Sequence, residues 1–108
     1  MEIKPTKLEQ VFIDSYLETA HWADKHDELG EPVDPEFLKY STIECIAFIL
    51  RVRAYLDPSL YEQAGHDFWL TRNGHGVGFW DRGTLYDSEG KIGLLLTEEA
   101  EDFGPVSY

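Results

Sequence analysis

The sequence predicts an α+β fold, in which two N-terminal helices pack on a small antiparallel sheet built around a β-hairpin. Two observations indicate the helices, because apolar residues recur at helical spacing across residues 4–26 and again across residues 35–56. A third observation indicates the hairpin, because apolar and polar residues alternate on both sides of an Asn-Gly pair at residues 73–74. A C-terminal helix and a short terminal strand complete the predicted fold.

The first helix is predicted from Lys4 to His26. One stripe of apolar and small residues repeats at three and four positions, namely Leu8, Val11, Phe12, Ser15, Tyr16, Thr19 and Ala23. Pro5 suits the first turn of this helix, where its missing N–H leaves no hydrogen bond unmade. The acidic residues fall mostly off the stripe, so we expect them to face solvent.

The second helix is predicted from Pro35 to Leu56, after a connector from Asp27 to Pro35 that is rich in proline and acidic residues. One apolar row on this helix consists of Phe37, Tyr40, Ile43, Ala47, Leu50 and Ala54. Further apolar residues widen the row, which favours a central position in the core. The only cysteine, Cys45, lies in this run and is expected to be a small buried residue, and a single cysteine excludes an internal disulfide.

The hairpin is predicted from two short strands, Asp67–Thr71 and Val77–Asp81, joined by a turn of Arg72–Gly76. Asn-Gly between alternating runs is the strongest short-range hairpin signal, because glycine accepts the positive φ that such turns need. Alternation directs one face of the hairpin toward the core. The opposite face carries Trp69 and Trp80.

The remaining segments are predicted from breakers and weaker periodicity. Residues 60–63 are expected to form a short turn, and Thr84–Gly90 a polar one. A helix is predicted over Lys91–Phe103 and a short strand over Pro105–Tyr108. The length of 108 residues favours a single domain spanning residues 1–108, and no apolar run approaches the length of a membrane span.

The net charge is −12, and it is concentrated at the two ends of the chain. Residues 1–36 carry −7, residues 84–108 carry −5, and the segment between them is neutral. Direct binding to nucleic acid is disfavoured, because affinity for phosphate comes from lysine and arginine. A strongly acidic surface instead suits a basic partner, including a groove that normally holds nucleic acid. The alternative is that the acidity only keeps the protein soluble.

Two sets of residues are candidates for binding such a partner. The first set is the aromatic and basic face of the hairpin, namely Trp69, Arg72, Asn73, His75, Trp80 and Arg82. The second set consists of acidic residues near the two ends, namely Glu9, Asp14, Glu18, Asp27, Glu28, Glu31, Glu98, Glu99, Glu101 and Asp102. The alternative for the hairpin face is that both tryptophans pack beneath a helix and that Arg72 and Arg82 pair with Asp67, Asp81 or the acidic ends of the chain.

A second hypothesis is a small hydrolase or nucleic-acid-modifying enzyme that acts through His66, Asp67, His75 or Asp81. In the predicted hairpin the two histidines lie more than about 15 Å apart, at about 3.3 Å per strand residue, which disfavours a shared metal centre. We therefore expect no metal or other cofactor and assign no catalytic residue. A third hypothesis is a virion or assembly component that acts by self-association.

The stretch from Gly65 to Gly83 resembles the signature of a family of small uncharacterised proteins encoded by bacteriophages and prophages. Further positions similar to that family follow it, namely Leu96, Thr97, Ala100, Phe103, Gly104 and Val106, so the resemblance covers residues 60–108. The resemblance implies an accessory protein made in the host bacterial cytoplasm. The family has no assigned reaction, so the resemblance implies no catalytic residue. The sequence thus favours a non-enzymatic protein, monomer or homodimer, that binds a host protein with a basic surface, such as a CRISPR effector or another defence nuclease, without contacting nucleic acid or membrane.

Overall fold

The computed structural model describes residues 4–24, 35–74, 78–79, 85–86 and 91–105, and these residues contain four α-helices and no strand. The helices are α1 (Lys7–Asp24), α2 (Pro35–Val52), α3 (Tyr61–Arg72) and α4 (Lys91–Glu101), and a short 3-10 helix, Pro58–Leu60, precedes α3. The predicted α+β fold on a sheet is therefore wrong for the part of the chain that the structure describes. None of these helices has the length and apolar content needed to cross a membrane.

The first predicted hairpin strand, Asp67–Thr71, lies inside α3, and the turn predicted at residues 60–63 contains the start of this helix. The Asn-Gly pair that predicted a hairpin turn ends α3 instead. Asn73 Nδ2 donates to the carbonyl oxygen of Trp69 at 2.9 Å, and Gly74 has a φ of 66°. A glycine in the left-handed region is a common helix stop, so the same dipeptide suits both structures.

The other predicted non-helical elements fall largely outside the described residues. Of the second hairpin strand, Val77–Asp81, only residues 78–79 are described, and neither lies in a strand. Of the turn Thr84–Gly90, only residues 85–86 are described. Within the predicted strand Pro105–Tyr108, only the proline is described, and it is not in a strand. No part of the predicted hairpin is therefore found among these positions.

Three predicted helices are confirmed as α1, α2 and α4, each shorter than predicted. A capping box starts α1, because Thr6 N donates to Glu9 Oε1 at 2.8 Å and Glu9 N donates to Thr6 Oγ1 at 3.1 Å. α2 ends four residues before Leu56, and α4 ends two residues before Phe103. Residues 27–34 of the predicted connector lie outside the described residues.

One hydrophobic core takes side chains from all four helices. At its centre the rings of Phe48 in α2 and Phe68 in α3 stack with centroids 4.2 Å apart. Phe12 of α1 lies 5.9 Å and 5.8 Å from these two rings, and Leu96 and Ala100 of α4 are fully buried in the same cluster. α3 buries residues on nearly every side, so it, and not α2, is the central helix.

α2 buries a different face from the predicted row. Its buried residues are Ser41, Cys45, Phe48, Ile49 and Val52. Three residues of the predicted row, Tyr40, Ile43 and Leu50, are 60%, 36% and 54% exposed. The burial of Cys45 is confirmed, whereas these three residues of the row that was expected to face the core are exposed, and Phe37 of the same row packs against the core.

α1 and α3 pack against each other more extensively than any other pair of the described helices. Gly65 allows this approach, because a Cβ at position 65 would overlap the carbonyl oxygen of Phe12 and lie 3.1 Å from the Cβ of Ser15. Next to the crossing, Ser15 Oγ donates to the carbonyl oxygen of Glu62 at 2.6 Å. The close crossing therefore brings polar residues of both helices together.

Candidate functional site

A groove of about 670 Å³ opens between α1 and the start of α3. Its described lining consists only of polar side chains, namely Ser15, Glu18, Thr19, Ser59, Glu62, Gln63 and His66. None of these lining residues is a lysine or an arginine. We call this site the α1–α3 groove.

Helical spacing places the lining side chains on facing sides of the two helices. Residues three and four positions apart lie on one face of a helix, which groups Ser15, Glu18 and Thr19 on α1. The same spacing groups Glu62, Gln63 and His66 on α3. Ser59 comes from the 3-10 helix, whose N-cap Asp57 accepts hydrogen bonds from Ser59 N at 2.9 Å and Ser59 Oγ at 2.7 Å. These hydrogen bonds lower the pKa of the Asp57 carboxyl.

The imidazole of His66 is held by a short chain of hydrogen bonds. Thr19 Oγ1 donates to the carbonyl oxygen of Ser15 at 2.8 Å and lies 2.7 Å from His66 Nδ1. Because the hydroxyl has one proton and uses it on the Ser15 carbonyl, this pattern assigns a proton to His66 Nδ1, which donates to Thr19. A neutral ring then keeps Nε2 as an acceptor.

Carboxylates give the α1–α3 groove its charge. Glu18 and Glu62 are both exposed, one on each side of the groove. A second depression of about 410 Å³ shares Glu18 and is also lined by Asp14, Leu17 and His21. Glu18 therefore separates two concave surfaces, and both carry negative charge that favours a cationic group.

Of the four residues suggested for an enzyme, His66 lines the groove. No group of three or more His, Cys, Asp or Glu among them is placed to hold a metal ion. Asp67 is fully buried and does not line the groove, because it accepts hydrogen bonds from Tyr86 Oη at 2.6 Å and Gln63 Nε2 at 3.0 Å. The other two residues suggested for an enzyme, His75 and Asp81, lie outside the described part of the chain.

The residues predicted for the hairpin contact face are not brought together on a surface. Trp69 is 1% exposed and Arg72 is 6% exposed, so both belong to the core and do not form a contact face. Asn73 is half-buried and caps α3. Three further members lie outside the described residues, namely His75, Trp80 and Arg82. For Trp69 the structure matches the alternative in which the side chain packs beneath helices.

Arg72 joins parts of the chain that are distant in sequence. Its Nε donates to the carbonyl oxygen of Gly104 at 2.9 Å, and its Nη2 donates to that of Phe103 at 3.3 Å. Nη1 donates to Tyr16 Oη at 3.1 Å. Both terminal nitrogens pair with the Glu44 carboxylate, at 3.2 Å and 3.3 Å. Arg72 therefore connects α3 to α1, to α2 and to the end of α4.

Three of the predicted acidic binding residues cap a helix or form ion pairs within the chain. Glu9 belongs to the capping box of α1. Glu99 and Asp102 of the α4 end pair with Arg51 of α2, with Nη1 to carboxylate distances of 3.4 Å and 3.0 Å. The ion pairs with Arg51 reduce the negative charge that Glu99 and Asp102 can offer to a partner.

The other described acidic candidates remain exposed. Asp14 accepts a hydrogen bond from Gln10 Nε2 at 2.8 Å, and Glu18 lines the α1–α3 groove. Glu98 and Glu101 are exposed on α4. The acidic candidates outside the described residues are Asp27, Glu28 and Glu31. Of the predicted acidic residues that the structure describes, only Glu18 lines the groove.

The grouping of Glu62, Gln63 and His66 on α3 was not predicted from the sequence. Glu62 and His66 are four positions apart. On a helix this spacing makes them neighbours on one face, whereas on a strand they would share a side but lie far apart. That spacing would have indicated the site if the segment had been recognised as helical.

Comparison of the chain with protein-family models, curated proteins and solved structures gives no match.

Proposed function

We propose that this protein is a non-enzymatic bacteriophage accessory protein that binds a basic surface of a host protein and thereby inhibits or modulates it. In this proposal the α1–α3 groove receives a lysine or arginine side chain of the host protein. One observation carries it: the groove is concave and lined by Glu18 and Glu62, and no described lining residue is a lysine or arginine.

The chemistry of the groove suits a cationic side chain. Lysine brings three donors and arginine five, and neither has an acceptor. The groove supplies two carboxylates together with hydroxyl, amide and imidazole groups. Its volume of about 670 Å³ lies within the range of roughly 300–1,000 Å³ that is typical of ligand sites. A basic side chain and part of its neighbouring backbone therefore fit in it.

The charge of the whole chain favours the same class of partner. A net charge of −12 attracts basic surfaces over a distance and raises the rate of encounter. Basic grooves are common on proteins that handle nucleic acid, because they must neutralise phosphates. A host defence nuclease, such as a CRISPR effector, is the partner class that this charge fits best.

The host context comes from the resemblance between Gly65–Gly83 and a bacteriophage protein family. It favours action in the bacterial cytoplasm of the host. Direct binding of nucleic acid by this chain is disfavoured, because its own carboxylates repel phosphate. The expected partner is therefore a protein.

A pair of double variants tests the groove directly. Glu18→Gln/Glu62→Gln neutralises the groove, and Glu98→Gln/Glu101→Gln neutralises two exposed residues of α4 outside it. Each changes the net charge by the same amount, from −12 to −10. Affinity purification of wild-type protein from host lysate, followed by mass spectrometry, identifies the partner, and calorimetry then compares the three proteins.

We expect the groove variant to lose most of the binding and the α4 variant to keep it, since local contacts outweigh long-range charge. Binding should also weaken between about 50 and about 500 mM salt, because ion pairs are screened. Equal loss of binding in both double variants would mean that binding depends on the overall charge of the protein and not on the groove. Absence of any basic partner would contradict the proposal itself.

A further inference from the structure

α2 has two apolar faces, and only one of them is used by the core. The inner face is buried around Phe48 and Val52. On the outer face Tyr40, Ile43 and Leu50 are 60%, 36% and 54% exposed. Single exposed apolar residues are ordinary, but several on one helix face indicate an interaction surface.

The spacing of the outer face is that of a helix-pairing surface. Tyr40, Ile43, Ala47, Leu50 and Ala54 are separated by alternating steps of three and four, which is the a/d pattern of a heptad repeat. We call these five residues the α2 seam. Four of them lie in α2, and Ala54 lies in the turn that follows, where Arg53 N still donates to the carbonyl oxygen of Ile49 at 2.7 Å.

The sizes of the seam residues fit a second copy of the same helix running antiparallel. In one register Leu50 faces Ala47 of the second copy, and Ile43 faces Ala54 of the second copy. The two-fold symmetry of a dimer repeats each contact, so Leu50 and Ile43 each meet an alanine, whereas Tyr40 faces no residue of the seam. Small residues at every seventh position also let two helices approach closely, toward the lower end of the usual axis separation of about 8–10 Å.

The charges beside the seam agree with the same register. Glu44 and Arg51 are seven positions apart on one edge of the seam, and 35% and 44% of their side-chain surfaces are exposed. Within one copy Glu44 pairs with Arg72, and Arg51 pairs with Glu99 and Asp102. Because both side chains are still partly exposed, antiparallel pairing brings Glu44 next to Arg51 of the second copy, and Arg51 next to Glu44 of the second copy. Lys39 and Arg53 are also exposed on this helix. α2 is therefore a surface on which two acidic copies repel each other little.

We infer that the α2 seam is a homodimer contact, in which α2 of two copies pairs antiparallel with Leu50 against Ala47. This goes beyond the proposed function, because the α1–α3 groove contains no residue of α2. A stable interface typically buries roughly 800 Å² on each partner, and one helix face supplies less. The dimer should therefore dissociate on dilution.

Sedimentation velocity of the full chain from about 5 to about 500 μM tests the contact, since a dimer population depends on concentration. Leu50→Glu places a carboxylate on the seam. Leu94→Glu is the matched control, because Leu94 of α4 is also exposed, at 61%, but lies off the seam. Circular dichroism checks that both variants stay folded.

We expect wild type and Leu94→Glu to dimerise alike, and Leu50→Glu to raise the dissociation constant at least roughly tenfold by burying two carboxylates. A wild type that stays monomeric throughout overturns the proposal, as does equal loss in both variants.

Cysteine cross-linking tests the register. Ala47→Cys and Leu50→Cys proteins are oxidised separately and as a mixture, and Cys45 does not interfere because it is fully buried. Antiparallel pairing predicts that the mixture forms the mixed disulfide faster than either protein links to itself. Faster self-linking of each protein would indicate a parallel pair and would overturn the antiparallel assignment.

Discussion

Arg72 is only 6% exposed, and its guanidinium donates hydrogen bonds to Gly104, Tyr16 and Glu44. The guanidinium also lies over aromatic rings, 5.2 Å from the ring centroid of Phe68 and 5.7 Å from that of Phe103. Its planar fork makes the two parallel bonds to Glu44 that an ammonium cannot make. At the scale of a residue, the basic side chain that looked suited to a partner stabilises the fold.

We expect Arg72→Lys to lower the free energy of unfolding by about 3 kcal/mol, because the positive charge remains but most hydrogen bonds to buried oxygens are lost. Urea denaturation measures this change. Arg51→Lys is the control, since Arg51 is exposed and should cost less than about 1 kcal/mol. Equal losses in the two variants would show that the network around Arg72 contributes no more than a surface ion pair.

At the scale of the element, α3 depends on its close approach to α1. Replacing glycine by alanine in an exposed helix normally stabilises a protein by up to about 1 kcal/mol. At Gly65 the added methyl group meets the main chain of Phe12, so the usual gain is reversed. Position 93 in α4 offers a milder comparison, because a Cβ there would lie 3.2 Å from the carbonyl oxygen of Phe79.

We predict that Gly65→Ala destabilises the protein by about 2 kcal/mol or more, because the two helices must separate. Gly93→Ala should change stability by less than about 1 kcal/mol, since helix propensity offsets slight crowding. Thermal and urea denaturation of both variants measure the difference. A stabilised Gly65→Ala protein would be incompatible with the α1–α3 crossing described above.

How far the sequence predicts the structure differs between elements for a physical reason. α1 and α4 have one apolar face and one polar face, so the helical period is visible in their sequences. α3 is enclosed on nearly every side, and its run from Asp67 to Thr71 carries aromatic residues and an apparent alternation that also suit a strand. The groove residues Glu62 and His66 could not be grouped without knowing that α3 is a helix. Glu18 could be predicted as a solvent-facing binding residue, because α1 was predicted as a helix.

α2 shows a different limit of sequence reasoning. Both of its faces are apolar, so periodicity alone does not decide which face is buried. Tyr40, Ile43 and Leu50 of the row that was predicted to be buried are exposed, and the row with Cys45 and Phe48 lies in the core. Ambiguity of this kind is itself informative, because a helix with two apolar faces has a surface left for a second contact.

At the scale of the whole molecule, burial of ionisable groups links stability to alkaline pH. Burial raises the pKa of the Cys45 thiol well above 9.0, and it raises the pKa of the Tyr16 hydroxyl well above 10.0 although Arg72 opposes the shift. In the unfolded chain both groups lose their protons near these ordinary values. The unfolded state therefore binds fewer protons than the folded state once the pH exceeds them.

We predict that the free energy of unfolding falls as the pH rises above about 9, after being unaffected by these two groups at lower pH. Urea denaturation at several pH values between about 8 and 11 measures this change. Cys45→Ala removes the thiol, so the onset of the fall should move toward about 10, where tyrosine ionises. Unchanged stability from about pH 8 to 11 would contradict the role assigned to both buried groups.

The two proposed contacts lie on different helices, so they can act together. A dimer through the α2 seam presents two α1–α3 grooves. A host protein that is itself a dimer would then be bound at two points, which raises the effective concentration of the second contact. Loss of the dimer in Leu50→Glu would weaken such binding while leaving each groove intact.

The obstruction at Gly65 also limits how this protein can evolve. The atom that a larger residue would meet belongs to the peptide group of Phe12, and every amino acid at position 12 carries the same peptide group. A second-site suppressor of Gly65→Ala therefore cannot arise by shrinking the opposing side chain. Random libraries should recover true revertants at this codon, whereas clashes between side chains elsewhere in the core can be relieved by compensating substitutions.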